Sequence, residues 1–144
     1  MTFAEVLVEQ ALRIPDTVTW RWRERNGDHA VLEFPVQHEG GFEVSIDASP
    51  DSVGVYADAA HAEYQAANEA ERLEVVVTAL EDARLLLSPT RRLRVRYAAE
   101  QPYSWCVEKL VDGEWTADFT TALLFWNYFG RRSEEVYQNR VPWE

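Results

Sequence analysis

The sequence predicts an α+β fold: an antiparallel sheet, made of a four-strand meander plus C-terminal strands, with a long central helix and shorter terminal helices packed on one face. Three observations predict it. Residues 17–57 alternate apolar and polar side chains and are cut by tight-turn sequences. Residues 59–87 are rich in Ala, Glu and Leu and contain no Gly or Pro. Alternation then returns between Arg92 and Phe119. No repeat, low-complexity tract or linker interrupts the pattern, so residues 1–144 read as one domain of common size.

Phe3, Val6, Leu7, Ala11 and Leu12 recur at helical spacing and predict a first helix over 2–13, ended by Pro15-Asp16. Over 17–25, Val18, Trp20 and Trp22 point one way and Arg21, Arg23 and Arg25 the other, as in a half-buried strand. Asn26-Gly27-Asp28 is a hairpin turn, since Asn-Gly accepts the positive φ of a tight turn. Ala30 to Val36 and Phe42 to Ile46 are the next strands, joined through Glu39-Gly40-Gly41. Ser49-Pro50-Asp51 leads into a fourth strand, Val53 to Ala57.

Asp58 is placed to cap a helix over 59–87. Ala62, Ala66, Ala70, Leu73, Val77 and Leu80 fall on its apolar side, and Glu63, Glu71, Glu74, Glu81 and Asp82 on the other. Arg92, Arg94 and Arg96 alternate with Leu93, Val95 and Tyr97 in a second arginine-faced strand. Residues 103–111 and 114–119 form a hairpin about Asp112-Gly113. Thr120 or Thr121 caps a short helix, Ala122 to Phe129, stopped by Gly130, and 133–139 is a final turn or short helix.

The charge is lopsided. Residues 39–83 hold eleven acids and one base, Arg72, which is a net −10 of the chain's −11. Such a field repels nucleic acid and anionic membranes and attracts basic partners. The arginine strands do not overturn this, because Trp20 and Trp22 face away from the arginines and cross-strand pairing with Glu33, Glu43 or Asp47 accounts for them. The chain lacks a basic leader with a long apolar run, and no stretch is long enough for a membrane span. Cys106 is the only cysteine and reads as a small buried hydrophobe in a reducing compartment. A cytoplasmic location is the resulting expectation.

No catalytic residue, metal or cofactor is indicated. His29, His38 and His61 are too far apart for a short-range metal pair and read as surface residues. Asp47, Asp51 and Asp58 lack the glycine and terminal Glu of a calcium loop, and Gly40-Gly41 precedes no helix that could cradle phosphate. Glu69 lies near the middle of the apolar helix arc with Arg84 on the same side, as a partly buried acid met by an arginine.

The partner surface expected from charge is Glu63, Glu71, Glu74, Glu81 and Asp82, with Tyr64 and Val75 as apolar anchors. A basic protein is the partner this surface fits. The apolar run about Phe125, Trp126 and Phe129 is a core helix or a homodimer patch. Six tryptophans leave room for a third reading, a small-molecule carrier or enzyme with a tryptophan-lined pocket.

The block Trp105-Cys-Val-Glu-Lys, Asp112-Gly-Glu-Trp115 and Leu123-Leu-Phe-Trp-Asn-Tyr-Phe-Gly-Arg-Arg-Ser-Glu-Glu resembles the end of small uncharacterised bacterial proteins. In size, acidity and α+β character the chain is similar to bacterial toxin-immunity proteins. That resemblance implies a non-enzymatic inhibitor of a basic toxin domain. The element order also resembles class I type III secretion chaperones, which implies a dimer that holds an extended peptide. The four-strand meander and tryptophan-rich end depart from that pattern.

Overall fold

The computed structural model describes residues 1–123 and 130–143. Among the described residues, two helices and two antiparallel sheets make up the α+β fold, so the meander and the C-terminal strands form separate sheets rather than the single sheet expected. The elements are α1 (Phe3–Ala11), β1 (Arg21–Arg25), β2 (Ala30–Phe34), β3 (Val44–Ala48), β4 (Val53–Ala57), β5 (Ala60–Tyr64), α2 (Glu69–Leu87), β6 (Arg91–Ala98), β7 (Gln101–Val111), β8 (Glu114–Ala122) and β9 (Arg132–Gln138). The first sheet is ordered β1-β2-β3-β4-β5, and the second β8-β7-β6-β9.

Register explains the core. Leu32, Ile46 and Val55 sit opposite one another across β2, β3 and β4, and Phe34, Val44, Ala57 and Ala60 form the neighbouring row. All seven are buried. On the opposite face the same strands carry Glu33, Ser45, Tyr56 and His61. Helices α1 and α2 pack on each other and on the apolar face. The second sheet joins the same core through Leu93, Val95, Trp105 and Val107.

Helix α1 starts where Thr2 and Glu5 cap each other: the Thr2 hydroxyl accepts from the Glu5 amide at 3.1 Å, and the Glu5 carboxylate accepts from the Thr2 amide. The Asn26 turn works differently from its Asn-Gly signature. Gly27 does not take a positive φ. Instead the Asn26 side-chain oxygen accepts from the amides of Asp28 and His29 at 3.0 and 2.9 Å, an Asx turn. Asp112-Gly113 is a tight turn with positive φ at both residues, as its sequence indicates. Ala99 and Glu100 take the same positive φ between β6 and β7 without a glycine, a conformation that is strained for both.

Three expectations are corrected. Residues 60–64 are not helical. Asp58 takes φ 53° in the two-residue connection between β4 and β5, and Ala60 to Tyr64 pair with β4. The helix begins only after Asn68, whose side chain accepts from the Glu71 amide at 3.0 Å. Alanine's helix preference gives way because β4 needs a partner and Ala60-His61-Ala62-Glu63-Tyr64 alternates correctly. Next, the buried face of α2 is Val76, Ala79, Ala83, Leu86 and Leu87, whereas Leu73 and Val77 are each 47% exposed. The run Val75-Val76-Val77 is apolar all round and does not select a face. Glu69 is therefore exposed and pairs with the N-terminal amine, while Arg84 pairs with Glu81. Last, residues 133–138 form an exposed edge strand rather than a turn or helix, because β6 supplies a paired neighbour. Ala122 ends β8, and the rest of the expected 122–129 helix from residue 124, with Phe125, Trp126 and Phe129, lies outside the described residues.

Asn139 closes the structure. It is 1% exposed. Its side chain accepts from the Phe42 amide at 3.0 Å and donates to the Phe42 and Leu86 carbonyls at 3.1 and 3.2 Å. Around it, the Gln138 amide donates to Gly40 and the Val141 amide to Leu87, both at 2.9 Å. The carbonyls at the end of α2, which lack helical partners, are thus capped by the C-terminal segment. Gly41 permits this approach: a Cβ there would lie 2.7 Å from the Asn139 oxygen.

Replacing Asn139 by Ala leaves three buried backbone groups unpaired. At about 1 kcal/mol or more for each, the variant should lose roughly 3 kcal/mol, read as a lower urea midpoint by tryptophan fluorescence. His29 gives a second prediction. Its ring contacts Asp47 at 2.6 Å and Glu24 at 3.1 Å, and the Asp47 contact, aided by Glu24, raises its pKa above the ordinary 6.5. Between 6.5 and the raised value the native chain binds more protons than the unfolded one, so stability is fully present below 6.5 and declines as pH rises through the folded pKa. His29→Gln should flatten that decline in urea midpoints measured against pH.

Candidate functional site

A cleft of about 300 Å³ opens where α2 and the first sheet meet the second sheet. Val55 and Ala62 form its floor with Leu85 and Leu86, and Phe119 supplies one wall. Four polar side chains complete it: Tyr64, Asp82, Arg91 and Asp118. Each comes from a different element.

Strand β5 brings Tyr64 to the cleft by alternation, with Ala62 on the same side and Glu63 on the other. The Tyr64 hydroxyl donates to the Asp82 carboxylate. Asp82 follows Glu71, Val75 and Thr78 along one stripe of α2, at helical spacing. Asp118 arrives by an irregularity. Val107 pairs with Phe119 and Glu108 with Ala117, so Asp118 is the extra residue of a β-bulge. A regular strand would send Asp118 and Phe119 to opposite faces; the bulge lets both line the cleft.

The electrostatics follow from the enclosure. Burial pushes the Asp82 carboxyl above the usual aspartate value, and Asp118 and Glu81 push the same way. The Tyr64 hydrogen bond and Arg91 oppose them. Burial, and then the bond to Asp82, hold the Tyr64 hydroxyl far above its ordinary pKa, so it stays a donor. Arg91 stands 3.9 Å from Asp118, the outer limit of an ion pair.

The expected partner set is thus partly assembled and partly scattered. Tyr64 and Asp82 meet in the cleft. Glu71, Glu74, Glu81 and Asp82 share one side of α2. Glu81 is paired with Arg84, and Glu71 accepts from the Ala67 amide at 2.8 Å. Glu63 is exposed on the outer side of β5, and Val75 is half-buried against the core. Asp118, Arg91 and Phe119 were missed by sequence reasoning. A one-residue shift in strand register is the only signal for Asp118, and it needs the pairing to be seen.

The arginine strands find counter-charges, in two separate sets. Arg21 pairs with buried Glu33 at 3.0 Å, which holds the Glu33 carboxyl below its usual range. Arg92, Arg94 and Arg96 do not use Glu33, Glu43 or Asp47: they pair with Glu108 and Glu134 of their own sheet. Arg92 also lies over Trp115, at 4.4 Å. The described tryptophans do not gather about one pocket. Trp20 packs edge-on to Trp22, Trp105 donates to Asp58, and Trp143 lies on Phe34. Trp143 does border a second groove between α1 and α2, with Ile14, Val77 and Leu80. His29 and His38 are partly enclosed rather than free at the surface, since the His38 ring accepts from the Arg140 amide at 3.0 Å. Among the described residues no cluster of His, Cys, Asp and Glu could hold a metal, and no helix is long and apolar enough to cross a membrane.

Comparison with protein families, curated proteins and solved structures found no match for this chain.

The coupling of the two carboxylates is directly measurable. In carboxyl-carbon NMR titrations, Asp82 should titrate above the ordinary 3.8. Asp118→Asn should lower that value by removing a like charge, and Tyr64→Phe should raise it by removing a donor to the ionised form.

Proposed function

We propose that this chain is a non-enzymatic binding protein for a basic protein partner, which it engages along the acidic side of α2 and at the adjoining cleft. One observation carries the reading. Glu71 and Glu74 have no basic partner among the described residues, and their stripe runs into a cleft holding two more carboxylates, Asp82 and Asp118. Several other acids are tied up: Glu33, Glu108 and Glu134 pair with arginines, and Asp47 with His29. Uncompensated charge on α2 therefore lies on the same helix side as a carboxylate of a concave surface.

Charge of this kind speeds encounter more than it holds the complex, so a tight complex needs an anchor. Tyr64 and Phe119 at the cleft give apolar area beside the acids. An immunity-type inhibitor of a basic toxin domain is the specific form we favour, since such a partner presents complementary charge. A cytoplasmic setting belongs to the same proposal.

Double charge reversal, Glu71→Lys with Glu74→Lys, tests it. A column of the wild-type chain should retain basic proteins from the native host and release them as salt rises. The reversed variant should lose them, and association with the captured partner should slow about tenfold at low salt. Capture of the same proteins at the same salt by both columns would sink the proposal.

A further inference from the structure

We infer that the cleft between α2, β5 and β8 is a receptor for one cation on an alkyl stem, the arginine or lysine side chain of the basic partner. The inference rests on the partner reading above and assigns it a specific contact.

The chemistry of the lining selects this ligand. An anion is refused by Asp82 and Asp118. A wholly apolar group would strip water from both carboxylates and return no hydrogen bond. A hard metal ion seeks six or more oxygen ligands, and two carboxylates with a tyrosine fall short of that. A guanidinium or ammonium on a flexible stem meets every wall. Its stem can lie along Leu85, Leu86 and Phe119. Its head can reach lone pairs that are still open. Tyr64 takes one acceptor site on Asp82, and Arg91 touches Asp118 only at 3.9 Å. An ionised carboxylate offers about four such sites.

Size agrees. About 300 Å³ is the lower end of ligand sites and suits one long side chain. Construction agrees as well. The bulge at Asp118 brings a second carboxylate to the cleft beside an aromatic wall, which a regular β8 could not do. Asp82 lies on the same side of α2 as Glu71 and Glu74, about two to three turns further along, so a partner steered by that side meets the cleft on the same helix face.

The test is an NMR titration of the full, nitrogen-labelled chain with three small probes: Nα-acetyl-arginine amide, Nα-acetyl-lysine amide and Nα-acetyl-norleucine amide. The two cations should shift the amides of Tyr64, Asp82, Asp118 and Phe119 with millimolar affinity, and norleucine should not. Asp118→Asn should weaken both cations about fivefold or more; this side chain is 38% exposed, so the change leaves the core untouched. Equal shifts with norleucine, or equal affinity in Asp118→Asn, would overturn the inference. A fourth probe, the free diamine putrescine, separates the sources. Binding tighter than that of Nα-acetyl-arginine amide would overturn the assignment to a partner side chain. The two proposals also fail separately. If Asp118→Asn captures the partner as well as wild type while Glu71→Lys/Glu74→Lys loses it, the cleft assignment is wrong and the partner reading stands.

Discussion

The amide of Asn139 is the constraint on which the other parts depend. It occupies a site from which water is excluded, where an unpaired polar group costs about 1–3 kcal/mol. Every one of its bonds goes to backbone from a distant part of the chain: the loop before β3 and the last turn of α2. Its oxygen and nitrogen address the Phe42 amide and carbonyl together, as a neighbouring strand would. The amide thereby ties the tail after β9 to both the first sheet and the helix. That sets where α2 ends, and so where Leu85, Leu86 and Asp82 stand in the cleft. A long apolar side chain in its place could fill the volume but would leave three backbone groups without partners.

Two populations of charge divide the surface, and they do different work. On the second sheet, Arg92, Glu108, Arg94, Glu134 and Arg96 alternate in a continuous ladder. Single exposed pairs contribute at most about 1 kcal/mol, but a network of partly buried arginines sharing carboxylates fixes side-chain directions across three strands. That ladder consumes the arginines that could otherwise have suggested a nucleic-acid surface. On α2 the opposite holds: Glu74 and Glu71 stand without basic partners among the described residues. Within residues 39–83, His29 offsets Asp47, Arg84 offsets Glu81 and the N-terminal amine offsets Glu69, while Glu71 and Glu74 stay without basic partners on the helix side that carries Asp82 to the cleft.

What could be seen in the sequence was local and periodic. The strand alternation of 30–34, 44–48 and 53–57, the Asp112-Gly113 turn and the existence of a long helix follow from side-chain period and turn chemistry alone. Three things were hidden because they depend on partners far along the chain. Ala60 to Tyr64 carries a valid strand alternation, but its alanines also satisfy a helix, and only the need of β4 for a neighbour decides. Residues 133–138 show little apolar pattern because an edge strand with one covered side needs little. Asp118 belongs to the cleft through a bulge, and no periodic rule predicts one. Of the expected partner residues, Asp82 was named as an acid of one helix face and Tyr64 as an apolar anchor bordering that face. They do meet, but across two elements, with the tyrosine on β5.

Stability alone does not explain the cleft. Asp82 is drawn out of water, faces a like charge from Asp118, and has one tyrosine hydroxyl and a distant arginine to offset both. Its raised pKa states that the ionised form is worse off here than in the unfolded chain, so at neutral pH this carboxylate subtracts from stability. An apolar residue at the same position of α2 would pack against Leu85 and Phe119 without that cost. The second carboxylate compounds the problem, and it is present only because β8 departs from regular pairing at that point. Two carboxylates, supplied by separate elements and converging on one concavity at a cost to Asp82, support the proposal that a cation binds there.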